Sequence, residues 1–244
     1  MKETILTIIE NQQIAKDIYR MRLQGDTSAV TAPGQFVNLM LDGYYLRRPI
    51  SVNDLEGDVL TIIYKVLGEG TQAMTEYPVG KKLDVLTGLG NGYALEKSGS
   101  RPLLVGGGVG IPPLYLLCRR LLAEGKMPQV VLGYNTKDEI FLANDFEALG
   151  VEVTVLTADG SCGVKGLVTD GIAMKNDYTY LYTCGPEPML KAVYEVTKTS
   201  GQFSFEERMG CGFGACMGCT CKTKYGNKRI CKDGPVLEKE EIVW

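Results

Sequence analysis

Eight cysteines occur in the 244 residues, and five of them crowd into one segment near the C-terminal end. Four of these, Cys211, Cys216, Cys219 and Cys231, follow the spacing C-x4-C-x2-C-x11-C, the pattern of plant-type [2Fe–2S] sites. Four thiolates from one short segment can hold two bridged irons if the loop between the first three folds tightly around them. Gly210, Gly212, Gly214 and Gly218 allow this. Glycine reaches positive φ without strain and leaves backbone N–H groups bare, free to point at negatively charged sulfurs. The chemistry expected of this stretch is electron transfer.

Two other uses of cysteine fit less well. A zinc ribbon needs two C-x2-C knuckles across a longer spacer, and only Cys216/Cys219 makes one. A disulfide framework is not expected, because Met1-Lys2-Glu3-Thr4 opens an amphipathic strand where a secretory signal would start basic and then apolar. Cys221 could stand in for Cys219 as a ligand only by breaking the spacing. It is read as a near-cluster thiol, and Cys118 and Cys162 receive no role.

The chain has no histidine. That excludes Ser–His–Asp and Cys–His catalysis, Rieske-type ligation and H-E-x-x-H zinc sites together, and leaves the demanding chemistry to cofactors. Hydrophobic residues make up 45% and charged residues 23%, with a net charge of −3 and both signs interspersed. This composition describes an ordinary globular protein with no basic footprint for nucleic acid. No apolar run approaches the span of a bilayer, so no membrane role is expected and the compartment expected is the cytoplasm.

The elements that must position the chemistry fall into two regions. Up to about residue 97 the pattern is of short strands, including 4–9, 18–23, 36–40, 59–66 and 83–86, separated by turns such as Ala32-Pro33-Gly34 and Glu56-Gly57-Asp58. This pattern predicts an antiparallel barrel. Within it lies Arg47-Arg48-Pro49-Ile50-Ser51, where an arginine can pair with a pyrophosphate and the serine hydroxyl can donate nearby. Ile63-Tyr64-Lys65 then runs through Gly68-Glu69-Gly70-Thr71 into a short helix expected over 71–77, with Thr71 as its N-cap and free N–H groups facing a phosphate.

From about Ser98 strands alternate with helices. The run 103–105 leads into Gly106-Gly107-Gly108-Val109-Gly110 and a helix through Leu122; strands follow at 129–134, 151–156 and 178–183, the last leading into Cys184-Gly185-Pro186 and a final helix. This is an open α/β sheet, whose ligand belongs beyond the carboxyl ends of the strands. The glycine stretch departs from G-x-G-x-x-G, since Ile111 holds the sixth position, and no acid ends the second strand, where Gly133-Tyr134-Asn135 stands.

Taken together, R-x-x-S in a barrel, G-x-G-T before a helix, G-G-G-x-G-x-x-P and C-G-P-x-x-M resemble the ferredoxin–NADP reductase superfamily, in its order and over residues 1 to about 200. With the cysteine segment added, the whole chain is similar to the iron–sulfur electron-transfer subunits of NAD-dependent (class 1B) dihydroorotate dehydrogenases. The resemblance implies a multidomain β and α/β protein. Residues 1–98 would form an FAD-binding Greek-key β-barrel, 99–200 an NAD-binding open parallel α/β sheet, and 201–244 a small [2Fe–2S] domain. Arg48, Pro49, Ile50 and Ser51 would hold the FAD diphosphate and flavin edge, completed by Ile63, Tyr64, Lys65, Gly70 and Thr71. Gly106, Gly107, Gly108 and Gly110 would accept the dinucleotide, Cys184, Gly185 and Pro186 would line the nicotinamide pocket, and Cys211, Cys216, Cys219 and Cys231 would ligate the cluster.

Electron counting shapes the expected function. Nicotinamide moves two electrons as a hydride and the cluster one, so a flavin must stand between them. The resemblance implies an oxidoreductase subunit of pyrimidine biosynthesis. It would carry electrons from an FMN-containing dihydroorotate dehydrogenase catalytic subunit to NAD+, in a heterotetramer, with no side chain acting as catalytic acid or base. Phe213 and Met217 are expected near the surface where that partner docks. NAD(H) is expected over NADP(H), because the turn after the second strand offers Lys137 and no arginine. Two alternatives stand beside this: the small subunit of an NADH-dependent ferredoxin–NADP oxidoreductase or sulfide dehydrogenase, and a zinc-stabilised binding module. Many single-domain members of the superfamily end in an aromatic covering the flavin; this chain continues past residue 200, which leaves open what shields the flavin face.

Overall fold

The computed structural model describes residues 1–244. Its first unit is a closed six-stranded barrel built from β1 (Lys2–Ala15), β2 (Ile18–Gln24), β3 (Phe36–Leu39), β4 (Arg48–Glu56), β5 (Val59–Lys65) and β6 (Lys82–Leu89), with the short helix α1 (Glu69–Thr75) between the last two. The strand order around the barrel is β1-β2-β5-β4-β3-β6, every pairing antiparallel. Alternation sets its inside. Leu83, Val85, Thr87 and Leu89 of β6 are buried while their neighbours are half-exposed or exposed, the period of two that a pleated strand imposes.

The second unit is a seven-stranded sheet. Along the chain it comprises β7 (Pro102–Gly107), α2 (Pro112–Ala123), β8 (Gln129–Tyr134), α3 (Ala143–Ala148), β9 (Glu152–Thr157), β10 (Val164–Lys165), α4 (Val168–Ala173), β11 (Tyr180–Cys184), α5 (Glu187–Val196) and β12 (Gly201–Ser204). All six residues of β7 are buried. A central parallel strand is covered on both faces, so its sequence reads as a continuous apolar run. Pro112 and Pro113 open α2, where a missing N–H costs nothing and a fixed φ suits the first turn.

The cysteine segment carries a small ribbon, β13 (Thr220–Thr223) and β14 (Gly226–Arg229), then α6 (Ile230–Asp233) and β15 (Val236–Glu238). Here the sheet differs from the wholly parallel one expected. β12 extends it parallel to β11, and β15 returns antiparallel to β12, giving the order β10-β9-β8-β7-β11-β12-β15. The residue 200/201 boundary falls at the start of β12, so the cysteine segment is spliced between two neighbouring strands of one sheet. An antiparallel edge strand needs no crossover helix, which lets a loop insertion close back on the sheet.

One core fills the barrel, with Leu6, Ile8, Met21, Val37, Leu39 and Leu60 among its members and Leu116 of α2 plugging in from the second unit. Arg119 of the same helix donates from Nη1 to both carboxylate oxygens of Asp54 in β4, at 2.5 and 2.6 Å. Apolar insertion and a charged hydrogen bond thus fix barrel and sheet against each other, so the cleft between them has firm walls. Two further cores cover the faces of the sheet, and one includes Cys219, Ile230 and Cys231.

Candidate functional site

Two adjacent arginines stand where β4 begins, Arg47 just before it and Arg48 as its first residue, and have different fates. Arg47 forks onto Asp84 of β6 with two 3.0 Å hydrogen bonds, a structural ion pair across the barrel rim. Arg48 has no carboxylate partner. Its guanidinium lies over the Tyr44 ring at 5.0 Å, donates to the Leu46 carbonyl and lines an interdomain cleft. A guanidinium left without an acid is free to take a bidentate anion.

That cleft, about 280 Å³ in volume, gathers residues from all three parts of the chain. The barrel supplies Arg48, Pro49, Ile50 and Ser51, then Ile63, Tyr64 and Lys65, with Thr71 at the rim. Opposite stand Val109 and Cys184 at the carboxyl ends of β7 and β11, and Ser204, Phe205, Glu206, Glu207, Met209 and Pro235 on the way into and out of the cysteine loop. Gly70 touches the cleft indirectly: a Cβ there would lie 2.4 Å from Arg48 Nε.

Thr71 does not cap its helix. Gly68 is the N-cap, and Thr71, in the first turn, bends its hydroxyl back to accept from the Leu67 and Gly68 N–H groups at 2.9 and 3.2 Å. Both N–H groups precede the first turn, whose own Glu69, Gly70 and Thr71 N–H groups this hydroxyl leaves unused.

The glycine run and the Cys184 loop pack on each other. A Cβ on Gly110 would lie 2.4 Å from the Cys184 carbonyl oxygen, and a Cβ on Gly107 or Gly185 would collide with the Met189 side chain. Gly106 is closed off by Ile111 and Leu114, while Gly108 has positive φ and open space beside it. The absence of Cβ atoms therefore lets two strand-end loops lie in contact, with Pro186 as the N-cap of α5. The Cys184 thiol is buried there, and burial pushes its pKa up.

The cysteine loop organises its sulfurs in two pairs. The Cys211 sulfur accepts from the Ala215 and Cys216 N–H groups at 3.2 and 3.4 Å, and the Cys216 sulfur accepts from the Cys211 N–H at 3.5 Å. The Cys219 sulfur accepts from the Cys231 N–H at 3.4 Å. Cys219 and Cys231 are buried, Cys211 is half-buried and Cys216 exposed. Gly212 and Gly214 take φ of +76° and +93°, turning the N–H groups inward as only glycine does cheaply. Burial would raise the Cys211 thiol, but N–H groups from Phe213, Cys216 and Ala215 outweigh it and bring it down to about 6. Burial, with Cys219 adding to it, pushes Cys231 up to about 12.

No three cysteine or carboxylate side chains converge on one point. Paired thiolates suit two bridged irons, each taking two cysteines, better than one ion taking four. The donor set and the inward N–H groups therefore fit a [2Fe–2S] cluster. Cys221 sits on β13, half-buried, outside both pairs.

Phe36, Val109, Ser204, Phe205, Glu206, Glu207, Met209 and Pro235 were not among the residues singled out from sequence. Phe205 and Met209 bring the connection from β12 into the cysteine loop onto the cleft wall. Although much of Glu206 is open to solvent, its carboxyl lies among the cleft walls, and that desolvation raises its pKa.

A β-barrel docked on an open α/β sheet, with a cleft at the strand ends and a four-cysteine loop, defines a reductase module carrying an iron–sulfur segment. Residues 104–195 match the model of the oxidoreductase NAD-binding domain, and residues 206–243 that of the iron–sulfur cluster binding domain of dihydroorotate dehydrogenase B. The chain is 44% identical to the dihydroorotate dehydrogenase B (NAD(+)) electron transfer subunit of Fusobacterium nucleatum subsp. nucleatum, covering 99% of each, and 42% identical to that of Shouchella clausii, covering 99% of this chain and 98% of that one. It superposes with a TM-score of 0.90 on a solved NADH-dependent reduced ferredoxin–NADP oxidoreductase, at 29% identity, covering 99% of this chain and 90% of that one. The chain belongs to the family of dihydroorotate dehydrogenase B electron transfer subunits.

Proposed function

We propose that this chain passes electrons between a dihydroorotate-oxidising catalytic subunit and NAD+, with FAD in the cleft, NAD(H) at the ends of β7 and β11, and a [2Fe–2S] cluster in the cysteine loop. One observation carries the reading: a single cleft is walled by the barrel, by the Cys184 loop and by the segment that leads into the four cysteines. When bound, the flavin exchanges the two-electron hydride of NAD(H) for the one-electron steps of an iron–sulfur cluster.

The chain's own residues would divide the work. Arg48 and Ser51 hold the diphosphate and flavin edge, Ile63 to Lys65 form the cleft floor, and Gly70 and Thr71 set the rim against Arg48. Gly108, with open space beside it, would let the dinucleotide backbone approach closely, Gly106, Gly107 and Gly110 would set the shape of that loop against its neighbours, and Cys184 to Pro186 would line the nicotinamide side. Cys211, Cys216, Cys219 and Cys231 would hold the cluster. In domain terms, residues 1–98 serve FAD, 99–200 serve NAD, and 201–244 the cluster, with β12 and β15 lending their backbone to the central sheet.

The partner subunit would carry FMN and dock over the exposed sulfur pair in a heterotetramer. Phe213 and Met217 are 43% and 54% exposed on that loop, an apolar surface of the kind interfaces use. The likeness to the NADH-dependent reduced ferredoxin–NADP oxidoreductase keeps a second reading, with the same cofactors and a different partner. Anaerobic purification should give about one FAD, two irons and two sulfides per chain. Co-expression with a candidate FMN subunit should yield a co-eluting complex that reduces NAD+ with dihydroorotate, whereas the isolated chain should not. Oxidation of dihydroorotate by the isolated chain would sink this assignment.

A further inference from the structure

Asn38 on β3 is 1% exposed, yet only half of its amide is used. Its Nδ2 donates to the Cys211 carbonyl at 3.3 Å, and its Oδ1 is buried with no partner. The amide cannot be turned round, because Oδ1 would then face the Cys211 oxygen. A buried polar group left without a partner destabilises the fold, and Phe36, two residues away on the same face and also buried, shows that this face accepts apolar residues. An amide kept at that cost needs a reason, and its contacts supply one.

The loop is pressed onto Asn38 from above. Gly212, next to Cys211, comes so close that a Cβ would lie 2.3 Å from Asn38 Nδ2. From below, Asn38 is part of the flavin side of the barrel. Phe36 and Asn38 are two apart and share one face of β3, and they pair across to Ser51 and Pro49 of β4. Phe36, Pro49 and Ser51 all line the cleft. One sheet face thus carries the cleft residues and the single barrel side chain bonded to the first cysteine of the loop.

We infer that Asn38 is a positioning residue, clamping the Cys211 end of the cluster loop to the strand face that holds the flavin and so fixing the cluster-to-flavin geometry. The inference rests on the cluster and flavin reading given above. It does not require Asn38 to touch either group. Buried partners that orient ligands in this way commonly change metal-site performance by 10–100-fold when removed.

The test uses the full chain, loaded anaerobically, with Asn38→Leu and Asn38→Ala beside the wild type. FAD content and the stopped-flow rate of flavin bleaching by NADH report an intact fold and cleft. Iron and sulfide content, the visible circular dichroism of the cluster and the rate of cluster bleaching after NADH report the clamp. The inference expects flavin bleaching to stay within about twofold, and cluster dichroism to change with cluster bleaching slowed by about tenfold or more. Loss of cluster with FAD retained in both variants would equally show that Asn38 anchors Cys211. Stoichiometric cluster with wild-type dichroism and bleaching rate in either variant would overturn the inference. A wild-type chain that took up no iron and sulfide would instead overturn the reading beneath it.

Discussion

Gly70 lies directly against the Arg48 guanidinium, so close that a Cβ would sit 2.4 Å from both Nε and Nη2. The residue that helix α1 lacks there is the space Arg48 occupies.

Gly70→Ala should therefore separate stability from binding. Alanine raises helix propensity by about 1 kcal/mol, and Arg48 can swing aside because its end is flexible. Thermal unfolding of the FAD-free chain should hold steady or rise, while FAD affinity falls about tenfold, the effect of weakening a charge-assisted hydrogen bond. Fluorescence titration with FAD reads the second quantity. Unchanged affinity would remove Arg48 from the flavin site.

The two sulfur pairs differ in burial, and their serine variants should differ with it. Cys216→Ser, at the exposed pair, should lose the cluster and keep FAD. Cys231→Ser also touches a packed core and should lower the unfolding temperature of the cluster-free chain as well. Cys221→Ser should leave iron content at the wild-type level. Iron assays and calorimetry on the three variants distinguish these outcomes; loss of iron in Cys221→Ser would redraw the ligand set.

Glu238 on β15 accepts hydrogen bonds from Lys97, Gln202 and Tyr180 at 2.7, 2.7 and 2.9 Å. Burial would raise its carboxyl, but these donors and the Lys97 charge hold it below the usual glutamate range. A carboxylate with a lowered folded pKa stabilises fully above its unfolded value, about 4.3, and that stability is lost as pH falls through the folded value. Wild type should be more stable than Glu238→Gln at pH 7, and the gap should narrow below about pH 4.5. Thermal melts across that range check the sign; a gap that widened in acid would contradict it.

The carboxyl ends of β8 and β9 are expected to favour NAD(H) over NADP(H). Asn135 is held by Glu139 at 2.9 Å, and Ser161 donates to the Asp159 carboxylate, keeping its pKa low. Lys137 and Lys165 are the cations at these turns, and neither has the planar fork that grips a 2′-phosphate. Flavin reduction should be about tenfold or more faster with NADH than with NADPH, a modest discrimination for one charged contact. Equal rates in stopped flow would mean that a lysine reads the phosphate.

The sequence by itself carried whatever depends on local spacing. Short strands punctuated by turns announced the barrel, strands alternating with helices announced the α/β sheet, and C-x4-C-x2-C-x11-C announced two irons, because turn chemistry, element order and ligand reach are properties of short stretches of chain. The Arg48–Ser51 and Ile63–Lys65 runs could be singled out as well, each being contiguous. Thr71 was legible as a hydroxyl near a helix start, but not its direction, which the competing backbone donors of Leu67 and Gly68 decide.

Tertiary structure alone settled what spans long separations. Asn38 and Cys211 are 173 residues apart, and no periodicity links them; nor does any local signal mark Phe205 and Met209 as walls of the cleft. That β15 would return antiparallel to β12 was equally hidden, since a three-residue strand is recognisable only by the edge that receives it. Such contacts are fixed by which surfaces remain to be buried once the local elements exist, a choice that the packing of the whole chain makes.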